Sequence, residues 1–316
     1  MRSYRKKAST GFLCCLFSVF FMSTVFGQNM FRKINDFDGD GKADFVITRN
    51  VSGARYWYIW QSTNGFSVFK WWITNDQNAA GDYDGDGKTD YGVFRKESTT
   101  PGNANLSFWI YASQIGVKLV PINNAPDRPY TVHQQDYDAD GKTDPAMIHY
   151  GDNIDSYLTV LPSTGGIGWS TLHFGTYIKT GDMIGDNRAD YASYNSSTNL
   201  VTRQDSPSGT RQTIQFGLAG DEFVPADFDG DGKGDLASYR PSNGQWWWMR
   251  SSDNVINATT FGTAGDVPVP ADYDGDGKTD IAIWRAGAQS QYWVYGSQVG
   301  IFVFDWGISS DTAVRY

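Results

Sequence analysis

The stretch Asp36-Phe-Asp-Gly-Asp-Gly-Lys-Ala-Asp44 decides how the rest of the chain is read, because it recurs. Five further copies run Asp82 to Asp90, Asp136 to Asp144, Asp182 to Asp190, Asp227 to Asp235 and Asp272 to Asp280. Their first aspartates lie 46, 54, 46, 45 and 45 residues apart. A period this regular, with strand-like content between the copies, means radial repetition of one unit rather than a row of unrelated domains.

Outward from each copy the unit reads the same way. The acidic loop enters a short apolar strand, such as Phe45-Val-Ile-Thr48 or Ile281-Ala-Ile-Trp284. A polar turn follows, then an aromatic strand: Tyr56-Trp-Tyr-Ile-Trp60, Phe108-Trp-Ile-Tyr111, Trp246-Trp-Trp-Met249, Tyr292-Trp-Val-Tyr295. A third strand ends in an aromatic-Gly pair (Phe174-Gly175, Phe216-Gly217, Phe261-Gly262, Trp306-Gly307), and a short fourth leads to the next loop. Four strands in about 45 residues is the size of a propeller blade. Period-2 patterning excludes a helical solenoid, a parallel β-helix has shorter coils, and β-sandwiches need about 100 residues per unit. The expectation is an all-β chain forming a β-propeller of four-stranded blades, six in number, with seven as the alternative. The segment Trp306-Gly307 to Asp311-Thr-Ala-Val314 repeats Phe261-Gly262 to Asp266-Val-Pro-Val269. It is expected to join the N-terminal blade and close the ring, which removes both sheet edges.

The first segment stands apart from the repeats. Arg2, Arg5, Lys6 and Lys7 precede an apolar run from Gly11 to Phe26, and Val25 and Gly27 suit a signal-peptidase site. The run is shorter than the roughly 20 residues needed to span a bilayer, so cleavage is favoured over a retained anchor. Residues 1–27 are therefore expected to be a signal peptide and 28–316 a single propeller domain. The product would be secreted, periplasmic or held at the cell surface, with no stable membrane span. Cys14 and Cys15 are the chain's two cysteines and both lie in this leader, so disulfides cannot order the mature loops.

Charge narrows the partners. The 26 basic residues less four in the leader leave 22 against 35 acids, a net of −13. That balance argues against nucleic acid and anionic membrane. The acids are concentrated, 23 of the 35 lying in the six loops.

Carboxylates at positions 1, 3, 5 and 9 of one tight turn suit calcium, a hard cation that takes six to eight oxygens. The candidate ligands are Asp36, Asp38, Asp40 and Asp44 in the first loop and Asp82, Asp84, Asp86 and Asp90 in the second. The third offers Asp136, Asp138, Asp140 and Asp144, and the fifth Asp227, Asp229, Asp231 and Asp235. The sixth offers Asp272, Asp274, Asp276 and Asp280. In the fourth only Asp182, Asp186 and Asp190 remain, because Ile184 takes position 3 and Asn187 replaces the position-6 glycine. That site is expected to be the weakest. The basic residue at position 7 (Lys42, Lys88, Lys142, Arg188, Lys233, Lys278) is expected to point to solvent with its carbonyl toward the ion. An EF-hand is ruled out, since position 12 holds Ile47, Val93, Met147, Ser193, Ser238 and Ile283, all within strands. Six calcium ions would bring the mature charge from −13 to about −1 and cross-link a cysteine-free chain.

These loops, with Phe216-Gly-Leu-Ala-Gly220 and Phe261-Gly-Thr-Ala-Gly265 ahead of Asp227 and Asp272, resemble the FG-GAP or VCBS-type repeats of integrin α-subunit propellers and many bacterial exported proteins. The resemblance implies a propeller with calcium in a hairpin loop on one rim. It implies no single activity, because such relatives include adhesion modules, lectins and some polysaccharide lyases.

Other features bear on function. Arg49, Arg95, Arg240 and Arg285 recur 13 positions after the first loop aspartate, with His149 and Asn195 in the third and fourth units. They read either as strand-end pairs or as a cationic ring suited to glycans. Tyr58, Trp109, Trp247 and Trp293 share one register and are expected to pack between blades rather than stack on sugars. The histidines His133, His149 and His173 form no recognisable catalytic motif, and no catalytic residue is assigned. The expected function is a monomeric, non-catalytic binding module for an extracellular protein or glycan. A calcium-dependent polysaccharide lyase or hydrolase is the alternative.

Overall fold

A computed structural model describes residues 35–100, 102–150, 155–166, 168–173, 177–195, 197–205 and 209–315. The expected leader and the Phe174-Gly175 pair lie outside the described residues. Among them the chain forms 24 strands in six four-stranded antiparallel sheets and no helix. It is a six-bladed β-propeller. No helix among the described residues is long and apolar enough to cross a membrane.

In the third to sixth blades the strand that follows the acidic loop is the most buried. Leu236–Arg240 and Ile281–Arg285 are buried at four of five positions each. Such a strand is covered on both faces by neighbouring blades, which is why its sequence reads as an apolar run rather than an alternation. The outermost strand Gly300–Asp305 alternates half-buried with exposed residues, as one open face requires. The innermost strands are short: Val267–Pro268 and Glu222–Phe223 hold two residues each. Pro225, Pro268 and Pro270 have no N–H for a longer ladder.

The ring closes as the repeat pattern anticipates. Thr312–Ala313 pairs antiparallel with Phe45–Val51, setting Ala313 opposite Ile47 and Thr312 opposite Thr48. Val314 N–H donates to Val46 O at 3.0 Å, and Tyr292 Oη from the sixth blade reaches the same carbonyl at 2.6 Å. The 54-residue spacing has a plain cause. In the second blade the strands Tyr91–Thr100, Asn103–Ala112 and Gly116–Pro126 are 10, 10 and 11 residues long, so this blade extends beyond the others.

Aromatic side chains wedge the blades apart. On the second strands of four blades the fully buried aromatics are Trp57, Phe108, Trp246 and Tyr292. These stand one position before Tyr58, Trp109, Trp247 and Trp293, of which Tyr58, Trp109 and Trp293 pack in part between blades. Trp109 and Trp293 lean on the next interfaces, while Trp247 keeps 36% of its surface open. In the Trp57, Phe108 and Tyr292 pairs the alternation sends one member toward each neighbouring blade.

Candidate metal centres and the loop ring

Each acidic loop is a cage of backbone N–H groups around its own aspartates. In the first, Asp36 Oδ1 accepts from Gly39 N at 2.6 Å and Oδ2 from Gly41 N at 2.9 Å. Asp44 spans the loop's ends, taking Phe37 N at 2.8 Å and Ser62 N at 2.9 Å. Asp40 faces the next turn of the same blade, where the hydroxyls of Ser62 and Thr63 donate at 2.5 Å. The other loops repeat this plan. Ser113, Ser163, Ser251 and Ser297 each donate N–H to the position-9 aspartate and Oγ–H to the position-5 aspartate. The sequence reading missed these serines, although a serine in the second turn of each repeat was there to be seen.

Three carboxylates converge in each of five loops, with oxygens within 4.8 Å of one another. In the first, second and fifth loops these come from positions 1, 3 and 5: Asp36, Asp38 and Asp40; Asp82, Asp84 and Asp86; Asp227, Asp229 and Asp231. In the third they are Asp136, Asp138 and Asp144, and in the fourth Asp182, Asp186 and Asp190. The fourth loop thus keeps a three-carboxylate cluster despite Ile184, with Asn187 in the left-handed region at φ 65°. The chemistry of the donors fits a hard cation. The sharpest sign is Asp38 Oδ1, a buried carboxylate oxygen without a hydrogen-bond partner. Buried acceptors are rarely left unpaired in native folds.

Electrostatics point the same way. Burial pushes Asp44, Asp90, Asp144, Asp235 and Asp280 up to about 7, against the lowering effect of their backbone donors. Asp36, Asp136, Asp182 and Asp272 are also raised, again chiefly by burial. A cation among these groups would relieve the cost of burying like charges.

The loops are joined to one another. The position-8 N–H of each loop donates to the position-1 carbonyl of the preceding blade's loop. The pairs are Thr89 to Asp36 and Thr143 to Asp82 at 2.6 Å; Ala189 to Asp136, Gly234 to Asp182, Thr279 to Asp227 and Ala43 to Asp272 follow at 2.7 Å. The last pair closes a ring of six. The position-7 lysines do not simply reach into solvent. Their stems lie over position 4 of the preceding loop, so a Cβ on Gly39 would sit 2.9 Å from Lys88 Cγ, and one on Gly275 3.0 Å from Lys42 Cγ.

The arginine ring takes its structural form. Arg49, Arg95, Arg240 and Arg285 each make two bonds to one buried aspartate of the same blade: Asp311, Asp76, Asp221 and Asp266. Arg49 also lies over Tyr58, Arg95 over Trp109 and Arg285 over Trp293, 4.6, 5.4 and 5.0 Å from the ring centres. In the third blade His149 stacks on Tyr157 instead, and in the fourth Asn195 caps a turn through Ser197 N.

Comparison with known proteins agrees with this architecture. Residues 36–93 and 227–283 match the FG-GAP-like repeat model. No curated protein matches the chain. Among solved structures, AofleA from Arthrobotrys oligospora superposes with TM-score 0.58 at 10% identity, over 92% of this chain and 90% of that one. TolB from Acinetobacter baumannii gives 0.57 at 14%, over 89% and 68%. The lectin of Aleuria aurantia, in complex with Fucα1-6GlcNAc, gives 0.53 at 11%, over 84% and 91%. Identities this low speak to the fold alone. Two segments of the chain therefore match the FG-GAP-like repeat, and the chain is built as a six-bladed β-propeller.

Proposed function

We propose that this chain is an exported, calcium-ordered propeller that acts as a monomeric, non-catalytic binding module for an extracellular glycan or protein. The observation that carries the calcium reading is the unpaired, buried Asp38 Oδ1 within a converging carboxylate cluster. Aspartates at positions 1, 3 and 5 would hold the ion, with position 9 replacing position 3 or 5 in the third and fourth loops. Calcium would supply the positive charge that these buried carboxylates otherwise lack. Positions 1 and 9 already fix the loop through backbone N–H groups, so the ion would meet a largely formed cage. The binding role is supported by the scaffold shared with a lectin that holds a fucosylated disaccharide, and export by the leader-like residues 1–27.

Two measurements test this reading. Melting curves across a calcium titration should rise with free calcium, and a chelated protein that melts like the loaded one would refute the metal claim. A glycan array probed with and without chelator should show retention without product release. Unsaturated oligosaccharide products would instead make the chain a lyase.

A further inference from the structure

A cavity of 930 Å³ is lined by residues at or just beyond the short innermost strand of every blade: Asn78, Val132, Lys179, Phe223, Pro268 and Val314. A space that all six blades share lies on the axis of the ring, and its volume is within the roughly 300–1,000 Å³ usual for small-molecule sites. Its charges are already matched inside the protein. Among the described residues, the charged side chains lining it are Lys179, Asp221, Glu222 and Arg315. Asp221 holds Arg240 at 2.8 and 3.1 Å. Glu222 accepts from Arg315 at 2.5 Å, and Lys179 lies in the field of the same carboxylate. An entering anion would have to displace Glu222, and an entering cation would meet Lys179 and Arg315 with both carboxylates taken.

What the wall leaves open is hydrogen-bond acceptors. Asn35 lines the cavity, is 4% exposed, and its amide oxygen has no hydrogen-bond partner. Native folds rarely leave such an acceptor unpaired. The side-chain nitrogens of Gln77 and Gln134 donate to Tyr130 O at 3.2 Å and Ala80 O at 2.9 Å, so what these amides still offer is an oxygen. Thr131 Oγ1 lies between His133 Nε2 at 2.9 Å and Tyr150 Oη at 3.3 Å, and both hydroxyls can turn to donate or accept. Pro225, Pro268 and Pro270 add apolar surface and no N–H donor.

We propose that this axial cavity binds a neutral sugar, whose hydroxyls donate to Asn35 Oδ1 and the neighbouring amide oxygens while its apolar face lies on the prolines. A ligand must bring donors to this wall without bringing charge. An ammonium donates but is opposed by Lys179 and Arg315, and a single amide offers one or two donors where a pyranose offers several. The inference rests on the binding-module reading and names its ligand class.

Titration calorimetry on the calcium-loaded chain at neutral pH tests it. The probes are D-glucose and D-galactose, each with its uronic acid and its 2-amino sugar. One neutral hexose or both should bind, and the acid and the amine should each bind roughly tenfold more weakly or worse. Asn35 holds φ 60°, which glycine adopts freely, so Asn35→Gly removes the acceptor without straining the backbone. It should weaken the neutral sugar by roughly tenfold, while Asn35→Asp, which keeps an oxygen there, should retain most of the affinity. If Asn35→Gly does not fold, Thr131→Val serves in its place. A charged sugar that binds as tightly as its neutral parent would overturn the ligand class. Sugar binding that the Asn35 and Thr131 variants leave unchanged would overturn the site yet leave the binding module standing. Absence of binding by both neutral hexoses at millimolar concentration would overturn the proposal outright, and the glycan array would still judge the module.

Discussion

Chelation should make stability fall steeply with pH where the loaded protein stays nearly flat. Burial raises Asp44, Asp90, Asp144, Asp235 and Asp280 from 3.8 to about 7. Without metal, the folded chain therefore holds protons that the unfolded chain has released. That advantage is complete below about pH 4 and disappears as pH rises through 7. Between pH 5.5 and 8 each group spans about 1.5 units below its folded value, or about 2 kcal/mol at full weight. Relaxation of the loop around the ionised carboxylates recovers part of that cost, leaving about half, or about 1 kcal/mol each. Five such groups give on the order of 5 kcal/mol, roughly 10 °C of melting temperature for a domain of this size. Calcium held beside these groups by the other aspartates of their loops, and by Asp144 itself in the third, would keep them charged, so the loaded protein should change little over the same interval. His133, pushed down to about 3 by burial, contributes with the opposite sign: it favours the fold above about 6.5 and less so as pH falls. It does so in both metal states and cancels from the comparison. Melting curves at pH 5.5 and 8, in chelator and in millimolar calcium, give the four values needed. A chelated protein that keeps as much of its stability as the loaded one on going to pH 8 would refute the reasoning.

Three substitutions probe the scaffold. Arg285→Met would leave the Asp266 carboxylate, 2% exposed, with only Thr263 as a donor, and should cost about 2 kcal/mol once the arginine's own exposure is allowed for; urea unfolding that registers under about 0.5 kcal/mol would mean the pair contributes nothing. Gly92→Ala would set a Cβ 2.0 Å from the Ala79 carbonyl oxygen, so soluble yield should collapse or stability fall by more than about 3 kcal/mol. Gly168→Ala, whose Cβ would meet nothing closer than 3.7 Å, is the control, and equal melting of the two variants would disprove the clash. Ala139 holds φ 64° where the other five loops have glycine, so Ala139→Gly should raise stability by about 1 kcal/mol, and a lower melting temperature would count against a strained backbone there.

Much of this architecture was legible in the sequence, because repetition converts a weak local signal into a strong one. One acidic turn says little, but six at a steady interval fix the blade count, and Asp311-Thr-Ala-Val314 gives the closing strand by analogy with Asp266-Val-Pro-Val269. The misreadings share a cause. The solvent-pointing expectation for Lys42 and Lys88 came from their own loops, yet their stems lie over Gly275 and Gly39 of the preceding blade. The two readings of Arg285 were separated only by Asp266, which the fold brings opposite. The cavity lined by Asn35, Lys179 and Arg315 among others could not be read at all, since its lining comes from segments far apart in sequence that only the closed ring gathers. Period-2 patterning reports which face of a strand is covered, not which blade covers it.

The hoop of loop-to-loop bonds asks for very little chemistry. Ala43, Thr89, Thr143, Ala189, Gly234 and Thr279 occupy its donor position with three different side chains, because only the amide hydrogen is used. Any residue but proline could serve. The bond from Ala43 to Asp272, which joins the first loop to the last, is as short as those between consecutive loops. The rim therefore holds no memory of where the chain starts. A gene re-cut between two other blades, or lengthened by a copied blade, would present the same amide and the same carbonyl at every joint. What depends on the present order of the chain is the first blade's innermost seam, where Asp311, Thr312–Ala313 and Val314 meet the first strand.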